Sequence, residues 1–188
     1  MVDKAEGSSS PQLLHRIGMM LDAKRVNWAT IGALAVAYHG VYRASLDADA
    51  LISLKGAGLD LDELGKLLSA EGLTVEIRMG EEGDPLGFVV RISDADENQV
   101  DLIGGIRNLD QGFFARTLND EFDGMKLRVA SPEDLIALKL YAGGPQDLED
   151  AKSVLAVQGS SIDKELVISL CRRFGASVEI SSRKLLGI

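Results

Sequence analysis

Asp47 and Asp49 stand two residues apart in the segment 46–54, with Leu46, Ala48, Ala50 and Ile52 between and around them. In an extended strand, side chains with period two share a face, so both carboxylates can reach one hard cation, and Mg2+ suits such an oxygen pair. Without an ion the two like charges would only repel. Asp94 and Asp96 have the same spacing but lie in the polar stretch 93–98. Aspartate is expected there because its side chain bonds nearby backbone N–H groups, so that pair reads as part of a turn. Asp101 is a different case, since it falls between Val100 and Leu102 inside the run 99–103, where no turn accounts for it. A half-buried acid wants a partner. If its strand ran beside that of Asp47 and Asp49, three carboxylates would converge, the arrangement that two-metal phosphoryl or nucleotidyl transfer requires.

Those acids need strands beneath them, and hydrophobic periodicity supplies the candidates. Leu13, Leu14, Ile17, Met20 and Leu21 recur at helical spacing and predict an amphipathic helix behind a flexible tail over 1–10. Residues 26–31 read as a short buried strand, and Gly32 separates it from an Ala-rich helix over 33–39 that ends at Gly40. The strand over 46–54 leads through a turn at Gly56 and Gly58 to a helix over about 60–70, with Leu61, Leu64, Leu67 and Leu68 on one face. Further strands are expected over 73–79, 86–92 and 99–103, the last two as an antiparallel hairpin closed by 93–98. A short helix over 111–118 and a strand pair turning at Asp123 and Gly124 follow. Ser131-Pro132-Glu133-Asp134 then places an N-cap, a first-turn proline and two acids in order, opening a helix to about Ala142. Gly143-Gly144-Pro145 breaks it, and helices continue to the end. The class is α+β, with a mixed central sheet flanked by helices, read as a tail 1–10, a core 11–130 and a C-terminal helical segment 131–188 packed on the core.

With 188 residues, 46% hydrophobic and 26% charged, the composition is that of a soluble globular protein with room for a full core. A net charge of −9 makes non-specific coating of DNA unfavourable. The local basic group Arg172, Arg173, Arg183 and Lys184 reads as a solvated face. Cys171 has no second cysteine to pair with and sits in the apolar run 166–174, where a buried thiol is expected. No stretch reaches the roughly 20 apolar residues that span a bilayer, and the polar start has no leader pattern, so a cytoplasmic protein with no membrane partner is expected. Neither His15 nor His39 has a Cys or His neighbour at zinc spacing, and His39 reads as a complement to the negative end of its helix. Were the chain to form a homo-oligomer, the run 166–174 is the surface expected to serve.

The segment Ile31-Gly32-Ala33-Leu34-Ala35-Val36-Ala37-Tyr38-His39-Gly40-Val41-Tyr42-Arg43-Ala44-Ser45-Leu46-Asp47-Ala48-Asp49 resembles the signature of minimal nucleotidyltransferases of the polymerase-beta-like superfamily, which includes the AbiEii-type toxins. That family opens with Gly-Gly or Gly-Ser at a strand-to-helix turn and runs through an Ala-rich helix to His-Gly. It then carries an Arg and a small hydroxyl residue before placing D-x-D on the next strand. Ser131-Pro132-Glu133-Asp134-Leu135-Ile136-Ala137-Leu138-Lys139-Leu140, followed by Asp147-Leu148-Glu149-Asp150, is similar to the family's second block.

The resemblance implies the nucleotidyltransferase fold and a Mg2+-dependent transfer, with Mn2+ as an alternative ion, of a nucleoside monophosphate from a nucleoside triphosphate such as ATP to a hydroxyl on protein or RNA. It also implies a toxin-antitoxin-like setting. By the same resemblance Gly32 and Ala33 present backbone N–H groups to the phosphates, while Asp47 and Asp49 hold the ion. Asp101 joins them as third carboxylate and metal ligand and helps activate the attacking hydroxyl. Arg43 neutralises phosphate charge, Ser45 hydrogen-bonds it, and Lys139 faces the nucleotide. From the residues alone, Lys139 reads as a lysine lying along an apolar helix with its ammonium in water, and Asp147 and Asp150 as acids favoured near a helix start. Ala33 lacks the hydroxyl that the family often places there, and Gly144 and Gln146 stand where basic residues are common. A nucleotide- or partner-binding module without turnover is the alternative.

Overall fold

Helix α1 (Ser10–Ala23) starts from a reciprocal cap, in which Ser9 Oγ accepts from Gln12 N and Gln12 Oε1 accepts from Ser9 N. The computed structural model describes residues 9–42 and 47–188. Ser9 and Ser10, expected in the tail, therefore belong to the helix start. Leu13, Leu14, Ile17 and Leu21 on α1 are buried at the spacing the sequence predicted. Trp28 packs its ring on Gly18, where any side chain would overlap it, and its Nε1 donates to Asp22 Oδ1 at 2.9 Å.

The sheet is built from β1 (Asn27–Ile31), β2 (Asp47–Ser53), β3 (Thr74–Met79), β4 (Phe88–Ser93), β5 (Gln99–Gly104), β6 (Leu118–Phe122) and β7 (Met125–Val129). Helix α2 (Gly32–Tyr38) follows β1, and α3 (Leu61–Ala70) follows β2. The strand order is β3-β4-β5-β2-β1-β7-β6. β2 runs parallel to β5 and β1 parallel to β7, while the other neighbours are antiparallel. The chain leaves β2 through α3, forms the outer hairpin of β3 and β4, and returns inward so that β5 lies against β2. That return sets the parallel pair on which the site depends.

The expected helix over 111–118 is a single 3-10 turn at Phe113–Ala115, and β6 already begins at Leu118. Asp110 Oδ1 accepts from Gly112 N at 2.9 Å and from Arg116 Nη1 at 2.8 Å, so local side-chain bonds hold this segment as a turn. Phe113 is buried and anchors it.

From Ser131 onward the structure is helical: α4 (Pro132–Ala142), α5 (Pro145–Gln158), α6 (Lys164–Phe174) and α7 (Ala176–Leu186). Ser131 Oγ accepts from Asp134 N at 3.1 Å, which is the N-cap the sequence announced. Val167, Ile168, Leu170 and Cys171 of α6 are buried within the chain, so these side chains of the run 166–174 belong to its own core. Burial pushes the Cys171 thiol up to about 11. Arg172 and Arg183 pair with Glu179 and Arg173 with Asp110, so three of the four members of that basic group are charge-paired. Among the described residues no helix is long and apolar enough to cross a membrane.

Candidate active site

Antiparallel pairing of β1 with β2 sets Ile31 opposite Asp49, and the chain turns immediately into α2 at Gly32 with φ +63°. A Cβ built on Gly32 would overlap Asp49 Oδ2, so the Asp49 carboxylate rests directly against the glycine. Only a residue without a side chain leaves that space and accepts that φ. Ala33, the next residue, is buried.

Parallel pairing of β2 with β5 sets Asp47 opposite Gln99 and Asp49 opposite Asp101. The β4–β5 hairpin in turn sets Arg91 opposite Asp101. Arg91, Asp101 and Asp49 therefore lie in a row across three neighbouring strands on one face. The alternate residues Val90, Ile92, Val100, Leu102, Ala48 and Ala50 form the opposite face and are fully buried. Asp47 is exposed and Asp49 half-buried, but the same face closes at Leu51, which is buried. The acids thus occupy the open end of a strand whose remainder is core.

Asp101 meets Arg91 in a two-pronged ion pair. Nε donates to Oδ1 at 3.0 Å and Nη2 to Oδ2 at 2.8 Å, with the Asp101 side chain 15% exposed and Arg91 39%. The hydrogen bonds to Asp101, then its charge, raise the Arg91 pKa above the ordinary arginine value, and the charge of Asp47 adds in the same sense. The three aspartates are gathered on one face as their strand positions required, yet both Asp101 oxygens are engaged by Arg91. Among the described residues no three His, Cys, Asp or Glu side chains are drawn together closely enough to hold a metal as they stand. Asp47 and Asp49, two carboxylates at neighbouring same-face positions with no side chain on Gly32, have the donor chemistry that fits a hard divalent ion.

Arg91 was not singled out from the sequence, although a signal existed. Counting back from the 93–98 turn pairs Ser93 with Gln99 and hence Arg91 with Asp101, the charged residues within two apolar runs. The turn itself is as read: Asp94 Oδ1 accepts from the backbone N of Asp96 and of Asn98, both at 3.0 Å.

Arg43 and Ser45 lie outside the described residues. Lys139 Nζ pairs with Asp147 Oδ1 at 2.8 Å and Asp150 Oδ2 at 2.9 Å, both on α5, and its side chain is 11% exposed. Gln146 Nε2 donates to the other oxygen of buried Asp150. The ammonium is paired within the chain rather than in water, and a nucleotide contact would require these pairs to open. His39 caps α2 from a buried position, with Nε2 2.8 Å from Ala130 O. Opposite a carbonyl that nitrogen must donate. Burial lowers the His39 pKa, so the ring is a neutral tether from α2 to the start of α4 rather than a charge at the helix end. Arg116 closes the far side with a fork onto Asp134, at 2.7 and 2.8 Å, which ties the 110–116 turn to α4.

No protein-family model matches the chain, and no curated protein matches it in sequence. Several solved structures match its fold. It is similar to ANT(2'')-Ia in complex with adenylyl-2''-tobramycin, with TM-score 0.60 and 18% identity over 87% of this chain and 97% of that one. An antigenic nucleotidyltransferase-like protein from Paracoccidioides brasiliensis gives TM-score 0.55 and 13% identity over 93% and 86%. The lincomycin-bound lincosamide antibiotic adenylyltransferase LnuA gives TM-score 0.52 and 10% identity over 80% and 99%. At such identities the likeness concerns the fold, and the chain has the nucleotidyltransferase fold, α+β around a mixed sheet.

Proposed function

We propose that this protein transfers a nucleoside monophosphate from a nucleoside triphosphate to an acceptor hydroxyl. The observation that carries the reading is the parallel β2–β5 pair, which sets Asp49 beside Asp101 on the open face while Gly32 lies against Asp49. Asp47 and Asp49 would hold Mg2+, or Mn2+ in its place, which supplies charge neutralisation for the triphosphate. Gly32 and Ala33 would leave the phosphates room to approach the backbone at the start of α2. Asp101 would take the proton of the acceptor hydroxyl as its oxygen bonds to the α-phosphorus. The bond from that phosphorus to the bridging oxygen breaks, and pyrophosphate leaves.

The resemblance of 31–49 to toxin nucleotidyltransferases supports a protein or RNA acceptor in a toxin-antitoxin-like setting. The net charge of −9 favours a cationic acceptor over a polyanion, and a structural relative is solved with adenylyl-2''-tobramycin, so polycationic hydroxylated small molecules belong among the acceptors tried. The alternative, a nucleotide-binding module without turnover, is favoured by the engagement of both Asp101 oxygens with Arg91.

One experiment separates these. Purified protein is incubated with labelled nucleoside triphosphates, Mg2+ and either cell extract or an aminoglycoside, and compared with the Asp47→Ala plus Asp49→Ala variant. Label should pass to an acceptor with the wild type alone. Equal labelling with both proteins overturns the enzymatic reading, and nucleotide binding without transfer selects the alternative.

A further inference from the structure

The Arg91–Asp101 pair bears on how the acids divide their work. We infer that Arg91 is a positioning residue that withholds Asp101 from the divalent ion, leaving Asp47 and Asp49 as a two-carboxylate ion site with Asp101 as a separate, oriented acid. The inference rests on the functional reading above and deepens it at the same site.

Three observations support it. First, the fork takes one position on each Asp101 oxygen. A carboxylate offers about four lone-pair sites, so roughly two remain, enough to accept an acceptor hydroxyl. Second, Arg91 cannot easily turn away. Its neighbours Val90 and Ile92 are fully buried, which commits the Arg91 side chain to the open face, and at 39% exposure it shields the 15%-exposed Asp101 side chain from solvent. Third, a cation bound directly to Asp101 would share that carboxylate with the guanidinium already on it, and two positive charges brought together there would repel. A hydroxyl carries no such penalty. Arg91 thereby selects a neutral hydrogen-bond donor over a metal ion at Asp101, and it offsets the charge of Asp101 itself.

Direct Mn2+ titration by electron paramagnetic resonance, without nucleotide, tests this independently of turnover. Removing the pair as a unit, Arg91→Gln plus Asp101→Asn, should leave the Mn2+ affinity at the native value, because the pair carries no net charge and Asp101 is withheld from the ion; Asp101→Asn alone bares the Arg91 charge and should weaken binding by no more than about tenfold. Arg91→Gln should bind Mn2+ about tenfold tighter, as expected for removing one nearby positive charge and freeing a carboxylate. Adding Asp101→Asn to Arg91→Gln should return the affinity to the native value. Markedly weaker than native binding by the double variant overturns the inference, as does an Arg91→Gln affinity equal to or below the native one, or a gain that survives Asp101→Asn. If Arg91→Gln does not fold, Arg91→Met replaces it, removing both the charge and the fork while keeping an apolar stem. A few-fold gain that Asp101→Asn cancels supports the inference, and no gain overturns it. The Asp47→Ala plus Asp49→Ala variant is the separate control: unchanged Mn2+ binding there refutes the ion site itself.

Discussion

Gly32→Ala is the most demanding perturbation of the site, because the structure allows its backbone and side-chain consequences to be separated. Gly32 has φ +63°, and an alanine held there costs about 1–2 kcal/mol. The added Cβ would also overlap Asp49 Oδ2 and lie 3.0 Å from Asp49 Cγ. That oxygen ends a rotatable side chain, so relief comes from Asp49 turning off its rotamer, at about 0.5–1.5 kcal/mol. Gly58→Ala is the matched control, since Gly58 has φ +72° and nothing within 4 Å of an added Cβ. For a chain of this size each kcal/mol is worth about 2–4 °C in Tm, so Gly58→Ala should melt about 2–8 °C below the native protein and Gly32→Ala about 1–6 °C lower still. The functional consequence is sharper than the thermal one. Displacing one of the two carboxylates proposed to hold the ion should weaken Mn2+ binding by at least about tenfold, or 1.4 kcal/mol. Gly58→Ala should bind Mn2+ as the native protein does. Thermal melts and Mn2+ titration of both variants form the assay. If both bind Mn2+ equally well, Asp49 is not positioned by its contact with Gly32 and the reasoning fails.

The Lys139 triad and His39 give two further tests. Lys139→Met takes one paired cation away from Asp150, which is 3% exposed, and should cost about 3–5 kcal/mol in urea unfolding. Adding Asp150→Asn should recover about half or more of that, whereas a single variant within about 0.5 kcal/mol of native would show that the pair does not hold α4 to α5. Burial holds the His39 pKa below its ordinary value, so the unfolded chain takes up that proton near pH 6.5 while the folded protein resists it until the pH is lower. The contribution of neutral His39 is therefore full above that range and is lost as the pH falls through it. His39→Gln should flatten the decline in urea midpoint between about pH 7 and about pH 5, and parallel curves for the two proteins would refute a buried neutral imidazole.

The element order was legible in the sequence because it is written in short-range physics. Ser131 and Asp60 cap their helices with side-chain oxygens, α1 declares its buried stripe by spacing, and Asp94 bonds the backbone of its own turn. Each signal acts within a few residues. The segment over 111–118 misled for the complementary reason, since its pattern is helical while the Asp110–Arg116 bond, reinforced by Asp134 on α4, holds it as a turn. The candidate site was half legible. The positions of Asp47, Asp49 and Gly32 follow from strand parity and a glycine at a strand-to-helix turn, whereas Arg91 and the fate of Lys139 do not.

The sequence by itself determined that two aspartates share one strand face, that a third lies unexplained in another strand, and that a glycine precedes the Ala-rich helix. Only the tertiary structure decided that the strands bearing Asp49 and Asp101 are parallel neighbours, that Arg91 occupies both Asp101 oxygens, that Lys139 is taken by α5, and that the apolar run of α6 is buried within the chain. Parity and capping are properties of a few consecutive peptide units. Which charges meet across a sheet or between helices depends on how segments distant in sequence are brought together, and burial of the whole core, not any local pattern, makes that choice.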